Sequence, residues 1–361
     1  MSKLKFFGVA AIFALSAATA MATNFRAADQ VYVPAVIHAV GGSGTFLTDV
    51  FISNVTTDPV AVSVIYCAGP LGCPTGATTF PNLITLQPLE RRTLVDFVGL
   101  PQAQGGLGMT SGFGQAVFNG CKANTSCGAD TQNSNGVSPN FRNISVETRV
   151  YSIPSGATLG QPYTNSCGQV LAAPPTTGQL FTGYPWYNFV SSDQAANGLD
   201  QVFITGITQN GTTGTAGTYR SNIGLVNASQ FSNTVLKVTL YAGNAPTTPV
   251  GTPYQASLGP LGQTQIPLPT AFPGVSGTNF FVTVQQISST PTSDAPTNCL
   301  PNGCPAFFAY GSVADNASGD ATTLEPQYFL ALTDNQISCI YPGAGQTPCK
   351  GVPVMHRAVK H

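Results

Sequence analysis

The sequence predicts an all-β protein: two tandem antiparallel β-sandwich domains of immunoglobulin-like type, related by an internal repeat. Three observations carry that prediction. Charged residues make up only 7% of the chain, too few to clothe the solvent faces of a set of amphipathic helices. Short alternating apolar runs are separated throughout by Gly, Pro, Asn, Thr and Ser, the residues of tight turns, and no stretch keeps a helical period. The third observation is that the two halves of the chain align with each other.

The alignment runs element by element. Thr48-Asp49-Val50-Phe51-Ile52-Ser53-Asn54 is answered by Ser221-Asn222-Ile223-Gly224-Leu225-Val226-Asn227. A hydroxyl and an Asx residue lead an alternating strand that closes on Asn, with Val50, Ile52, Ile223 and Leu225 facing inward. Val60 to Tyr66 is matched by Thr234 to Leu240, and each strand leaves through Ala-Gly, at Ala68-Gly69 and Ala242-Gly243. Leu86-Gln87-Pro88-Leu89 followed by Leu94 matches Leu258-Gly259-Pro260-Leu261 followed by Ile266, a proline turn between two short strands. Ile144 to Tyr151 before Ser155-Gly156 matches Phe307 to Val313 before Ser318-Gly319.

Around these repeats the chain divides into a signal segment (1–22), a first sandwich (31–165), a Pro/Gly/aromatic linker (166–199), a second sandwich (200–335) and a tail (336–361). Lys3 and Lys5 precede an apolar run from Phe6 to Ala18, and Ala20-Met21-Ala22 forms a small-residue cleavage site. This is the pattern of an export signal. The expected address is therefore secreted, extracellular or periplasmic, after cleavage near Ala22. The near-neutral charge balance gives no handle for nucleic acid or an anionic membrane, and no later segment is long and apolar enough for a membrane helix.

Nine cysteines in an exported chain point to disulfides. Cys67 and Cys73, Cys121 and Cys127, Cys299 and Cys304, and Cys339 and Cys349 each bracket a short loop containing Pro, Gly or Asn. Neighbour pairing is the simplest connectivity, although the sequence does not fix it. Cys167 is left over as an unpaired thiol. The rival reading, a zinc site, lacks close Cys-x2-Cys spacing and neighbouring histidines.

The blocks "YRSNIGLVN", "VTLYAG" and "FAYGSVADNASGDATTLEP" are similar to those of a group of secreted proteins from environmental bacteria, tandem β-sandwich proteins like adhesion modules. Their repeats run "xTDVxLxN", "LxPGxxxxL" and "YxxxxSG". The resemblance covers most of residues 31–330. It implies architecture, since the motifs mark turns and core positions, and it carries over no catalytic residue. The Cys-closed loops and the aromatic linker depart from it.

No catalytic set emerges. His38 is the one histidine ahead of the tail residues His356 and His361, and no Gly-x-Ser-x-Gly elbow accompanies it. The acids Glu90, Asp96, Glu147 and Glu325 are far apart in sequence, without the facing pair that glycoside hydrolysis uses. Asp315, Asn316 and Asp320 form the densest oxygen cluster and a weak calcium candidate, with an Asx/Gly hairpin turn as the plainer reading. No cofactor motif is present. Tyr184, Trp186, Tyr187 and Phe189 form an aromatic run that either plugs the joint between the sandwiches or offers a platform to a ligand. The Asn-x-Ser/Thr sites at Asn54, Asn124, Asn143, Asn210, Asn227 and Asn316 read as accidents of composition. The expectation is thus a non-enzymatic structural or adhesive protein of the cell exterior, self-associating through weakly protected strand edges or meeting a glycan or surface partner. A pair of carbohydrate-binding modules and a secreted hydrolase are the alternatives.

Overall fold

The computed structural model describes residues 26–41, 44–73, 76–125, 140–185, 189–191, 201–211, 214–295 and 305–328. The first unit contains β1 (Gln30–Gly41), β2 (Gly44–Asn54), β3 (Val60–Ala68), β4 (Thr78–Leu86), β5 (Arg91–Leu94), β6 (Gly112–Lys122) and β7 (Ile144–Pro154). A hairpin of β8 (Tyr163–Thr164) and β9 (Val170–Leu171) follows, then β10 (Thr177–Thr182), β11 (Tyr184–Pro185) and β12 (Val190–Ser191). The second unit contains β13 (Gln201–Gln209), β14 (Tyr219–Asn227), β15 (Ser232–Ala242), β16 (Ala245–Pro249), β17 (Tyr254–Leu258), β18 (Gln263–Pro267), β19 (Gly277–Pro291) and β20 (Ala306–Asp315). Short strands β21 (Ala321–Leu324) and β22 (Gln327–Tyr328) end it.

The two units repeat the same pairings. In the first, β6 lies between β1 and β3, β4 flanks β3, and β2 lies between β5 and β7. In the second, β19 lies between β13 and β15, β17 flanks β15, and β14 lies between β18 and β20. The match extends past the seventh strand: β10 pairs with β7 and β11 with β1, as β21 pairs with β20 and β22 with β13. The all-β, sandwich-like fold is as expected. The strand order is not that of a constant-type immunoglobulin domain, where the first strand joins the sheet of the second and fifth. Here the first strand pairs along the sixth, and touches the second only where the curled sheet turns at Ala39–Gly41.

Alternation fills each core. Val31, Val33, Val50, Ile52, Val62, Val64, Phe118, Ile144 and Val146 pack inside the first unit. Val202, Ile204, Ile223, Leu225, Leu236, Val238, Val282 and Val284 are their counterparts in the second. Each core is closed by a buried asparagine. Asn54 donates to the carbonyls of Asp58 and Gln87 at 2.7 and 2.9 Å and accepts the Thr56 amide at 2.8 Å. Asn227 donates to Ser232 and Gly259 at 2.7 and 2.8 Å and accepts the Ser229 amide at 3.0 Å. The glycosylation-like spacing at both sites is therefore an Asx turn, with the asparagines only 2% and 0% exposed.

The proline turns repeat as well. Glu90 N–H donates to Gln87 C=O and Gly262 N–H to Gly259 C=O. Leu89 and Leu261 occupy the left-handed position, at φ 58° and 49°, a conformation that favours glycine. Leu89 is 71% exposed, whereas Leu261 is 1% exposed, because its turn lies in the joint between the units.

That joint is a third core. Tyr32, Ile65, Cys67 and Val117 of the first unit meet Val226, Leu261, Phe308 and Tyr310 of the second, with Phe181, Tyr184 and Phe189 between them. The Tyr184 ring stacks on Phe308 with centroids 4.3 Å apart, and Phe189 meets Tyr32 edge-on at 4.5 Å. Segment 177–185 is thus built into the sheets, and a parallel contact between Gln179 and Ala321 makes one sheet run through both units. The loop closed by the Cys67–Cys73 disulfide is a clasp. Gly259 and Gln263 donate amides to Leu71 and Pro70 carbonyls at 2.7 and 2.8 Å, and Cys73 donates to Pro260 at 3.2 Å.

One edge of each large sheet is blunted. Edge strand β4 is broken by Pro81 and by Asn82 at φ 47°, opposite a register shift between Val62 and Val64. Edge strand β16 carries Pro246 and Pro249. Proline and bulges remove the flat ladder that strand-to-strand association needs.

Two predictions follow from the repeat. Asn54→Ala and Asn227→Ala should each cost about 2–4 kcal/mol in chemical denaturation, because buried carbonyls and an amide lose their partner. Leu89→Gly should stabilise by about 0.5–1 kcal/mol through relief of left-handed strain. Leu261→Gly should destabilise by about 2 kcal/mol or more, since the lost burial outweighs the same relief; thermal melts of the two variants should move in opposite directions.

Candidate functional site

The structure gathers titratable side chains at one place. His38 stands near the end of β1, opposite Gly112 of β6. Its Nδ1 lies 2.8 and 2.9 Å from the two carboxylate oxygens of Asp96. Asp96 follows β5 and adopts φ 52°, a strained conformation for a non-glycine residue. Two amides fix its neighbourhood: Asp96 N–H donates to Asp49 Oδ1 at 3.0 Å, and Gly99 N–H points to Asp96 Oδ1 at 3.4 Å. Gly99 has to be small, because a Cβ there would sit 2.4 Å from Asp96 Oδ2 and 2.8 Å from His38 Nδ1. Tyr151 of β7 donates its hydroxyl to Asp49 Oδ1 at 3.0 Å, under the Arg149 guanidinium. Burial, with the negative charges of Asp49 and Asp96, pushes the Tyr151 phenol well up.

A carboxylate only accepts, so the imidazole proton is drawn to Nδ1 and Nε2 is left as the basic nitrogen. His38 and Asp96 side chains are 27% and 22% exposed, so the pair is reachable from solvent. The arrangement can orient a base. It can equally pin the loop after β5, whose Phe97 and Leu107 are core residues.

The dyad is an addition to the shared frame. Ile37 N–H donates to Thr48 Oγ1 at 2.7 Å, and the equivalent Thr208 N–H donates to Ser221 Oγ at 3.1 Å. At the position equivalent to His38, Gln209 accepts the Ser221 amide at 3.1 Å. By the register of β5 and β18, Leu268 stands where Asp96 does, so the second unit has no ionisable pair there. Sequence spacing had left His38 and Asp96 unconnected; the usable signal was the repeat, in which Asp96 replaces a buried leucine.

The other expected residues are placed as follows. Tyr184 and Phe189 are buried in the joint, so neither ring is open to a sugar. Trp186 and Tyr187 lie outside the described residues. Asp315 Oδ1 accepts the amides of Ala317 and Ser318 at 2.6 and 3.3 Å, and Asn316 Oδ1 accepts from the Arg220 guanidinium at 3.0 Å. Asp320 receives its turn through Ser318 Oγ, 3.1 Å from its amide. Asp315 Oδ1 and Asn316 Oδ1 are thus engaged by N–H donors, which is the geometry of a turn. Among the described residues no group of three or more His, Cys, Asp or Glu could hold a metal.

Cys67–Cys73 is bonded, Cys121 is disulfide-bonded, and Cys167 is an exposed free thiol. Cys127, Cys299, Cys304, Cys339 and Cys349 lie outside the described residues. Glu90 is held to the Gln87 amide at 2.6 Å and to Arg92, Glu147 faces Arg91, and Glu325 faces Arg26. The Gln87 amide, with Arg92, keeps the Glu90 carboxyl below the usual range.

No protein-family model matches the chain, and no curated protein matches it.

The buried phenols predict alkaline instability. Burial pushes Tyr66 up to about 12 and raises Tyr310 further, and Tyr151 moves the same way. The unfolded chain releases these protons near pH 10 while the folded one holds them. Stability is therefore complete below about pH 10 and falls as pH rises from there toward 12. Phenolate absorbance followed alongside unfolding should show the two together, and Tyr66→Phe with Tyr310→Phe should flatten the decline. For the dyad, nitrogen NMR of the neutral imidazole should find the His38 proton on Nδ1, and on Nε2 in Asp96→Ala.

Proposed function

We propose that the protein is an exported, non-catalytic structural or adhesive module of the cell exterior, working as one stiff body. The observation that carries this is the joint: a shared aromatic core, a continuous sheet and a disulfide-closed clasp fix two repeat-related units against each other. Freely moving tandem domains meet through smaller, more polar contacts. Stiffness suits a part that holds a position or transmits load, whereas catalysis favours a mobile loop or lid. The export-signal pattern and the resemblance to secreted sandwich proteins support the address and class without naming a partner. No helix among the described residues is long and apolar enough to cross a membrane. The blunted edges at β4 and β16 argue against self-association through those two strands.

A second reading, a secreted hydrolase, is favoured by the His38–Asp96 pair alone. The carbohydrate-binding reading loses Tyr184 as a stacking ring.

The experiment pairs two measurements on the mature protein. Calorimetry should give a single unfolding transition for the whole chain, and Phe308→Ala should split it into two. Two transitions in the unaltered protein would remove the stiff-body proposal. A panel of ester, peptide and glycoside substrates should show no turnover; turnover abolished by His38→Gln, with its melting temperature kept, would establish the hydrolase reading instead.

A further inference from the structure

The clasp is a part of the joint that chemistry can make and break. Cys67 is 0% exposed and belongs to the joint core, and Cys73 is half-buried against the same cluster. The loop between them hands the Pro70 and Leu71 carbonyls to the proline turn of the second unit, and the Pro260 carbonyl of that turn accepts the Cys73 amide. The fit is close: a Cβ at Gly262 would lie 2.5 Å from the Leu71 carbonyl oxygen. Gly69 and Gly72 would give an open loop many conformations, so the bridge is what keeps the two carbonyls aimed at the turn.

The frame of a single unit does not call for this bridge. By the matched registers of β3 and β15, Tyr241 stands where Cys67 does, and β15 leaves through the hairpin to β16 with the shared strand order kept. The bridge therefore serves the contact between the units more than the sandwich that contains it. Its sulfurs are also shielded by that contact. Reduction needs a thiolate to reach one sulfur in line with the S–S bond, and the second unit encloses Cys67 wholly and Cys73 in part.

We propose that the Cys67–Cys73 disulfide is a redox latch on the joint: a dithiol reductant reaches it when the joint opens, and its reduction uncouples the two units while each stays folded. One thiolate of the reductant attacks a bridge sulfur, the S–S bond breaks, and the other cysteine leaves as a thiolate and takes a proton. The second reductant thiol then displaces the mixed disulfide. The bridge gains two electrons and two protons, and the reductant departs as its own disulfide. Coupling of this kind is reciprocal: if the bonded loop favours the closed joint, the closed joint favours the bonded loop by the same factor. The latch rests on the stiff-body reading above.

The test uses the full mature chain with the exposed Cys167 thiol first blocked by iodoacetamide. Reduction by dithiothreitol is followed by alkylation and peptide mass spectrometry, with the disulfide of Cys121 as the internal reference. Phe308→Ala, which removes the ring stacked on Tyr184 and Phe189, should speed reduction of Cys67–Cys73 relative to that reference by on the order of tenfold or more, the scale of losing a large buried ring. An unchanged ratio would overturn the latch. In the second arm, calorimetry of Cys67→Ala/Cys73→Ala should show two cooperative transitions where the bonded protein shows one. One transition in both proteins would remove the latch and leave the stiff body standing, and two in the bonded protein would remove both. Loss of the first unit's transition would make the bridge a folding element and so overturn the latch.

Discussion

Everything in this architecture depends on a buried amide placed twice. At the end of the second strand of each unit, Asn54 or Asn227 satisfies carbonyls from two separate segments and turns the chain through its own Oδ1. An apolar residue there would leave those carbonyls orphaned inside the protein, and each orphan costs more than an ordinary hydrogen bond contributes. The asparagine therefore fixes where strand two ends, where strand three begins and how the proline turn approaches. Strand five pairs with strand two only because that turn is held. Two units with different loops can keep one topology because this junction and the inward-facing positions are shared.

Most of the frame was legible in the sequence for that reason. Alternation at Val50, Ile52, Ile223 and Leu225 and the closing asparagines are local signals, and the structure uses them locally. Strand order was less legible. Which sheet the first and seventh strands join is decided by contacts distant in sequence, and the pairing of β1 with β6 leaves no mark on either strand alone. β1 even hides its alternation, because Tyr32 faces the joint while Val31 and Val33 face the core. The dyad was illegible for a similar reason. His38 and Asp96 meet through the register of β1, β2 and β5, and only comparison with Gln209 and Leu268 singles them out.

The joint shows how a repeat can avoid becoming a polymer. A contact between unlike faces of repeat-related units is heterologous, and such contacts propagate when each unit carries both faces. The second unit offers Gly224, Phe308 and Tyr310 to the joint, with a Cβ at Gly224 excluded by the Tyr310 ring 2.1 Å away. The equivalent positions in the first unit are Phe51, Ser145 and Glu147, where Arg91 lies 5.6 Å above the Phe51 ring and 3.6 Å from Glu147. A charged pair on that face would have to be desolvated to accept an aromatic neighbour, which opposes such a contact. The two units are thus alike inside and unlike outside.

The single loop that breaks the internal symmetry completes this argument. Strand three of the first unit exits into the disulfide-closed segment from Cys67 to Cys73, whereas strand fifteen exits into the plain hairpin to β16. The closed loop presents the carbonyls of Pro70 and Leu71 to the turn that carries Leu261. Gly72 can approach because a Cβ there would meet Gly259 Cα at 3.0 Å, and its φ of 142° suits only glycine. In the first unit the same turn carries Leu89 to solvent, since no clasp reaches it. A left-handed leucine is tolerated at both places, but only at Leu261 does the strain coincide with a buried side chain and a partner loop. The insertion and the left-handed leucine together convert a generic turn into the fixed point between the two units.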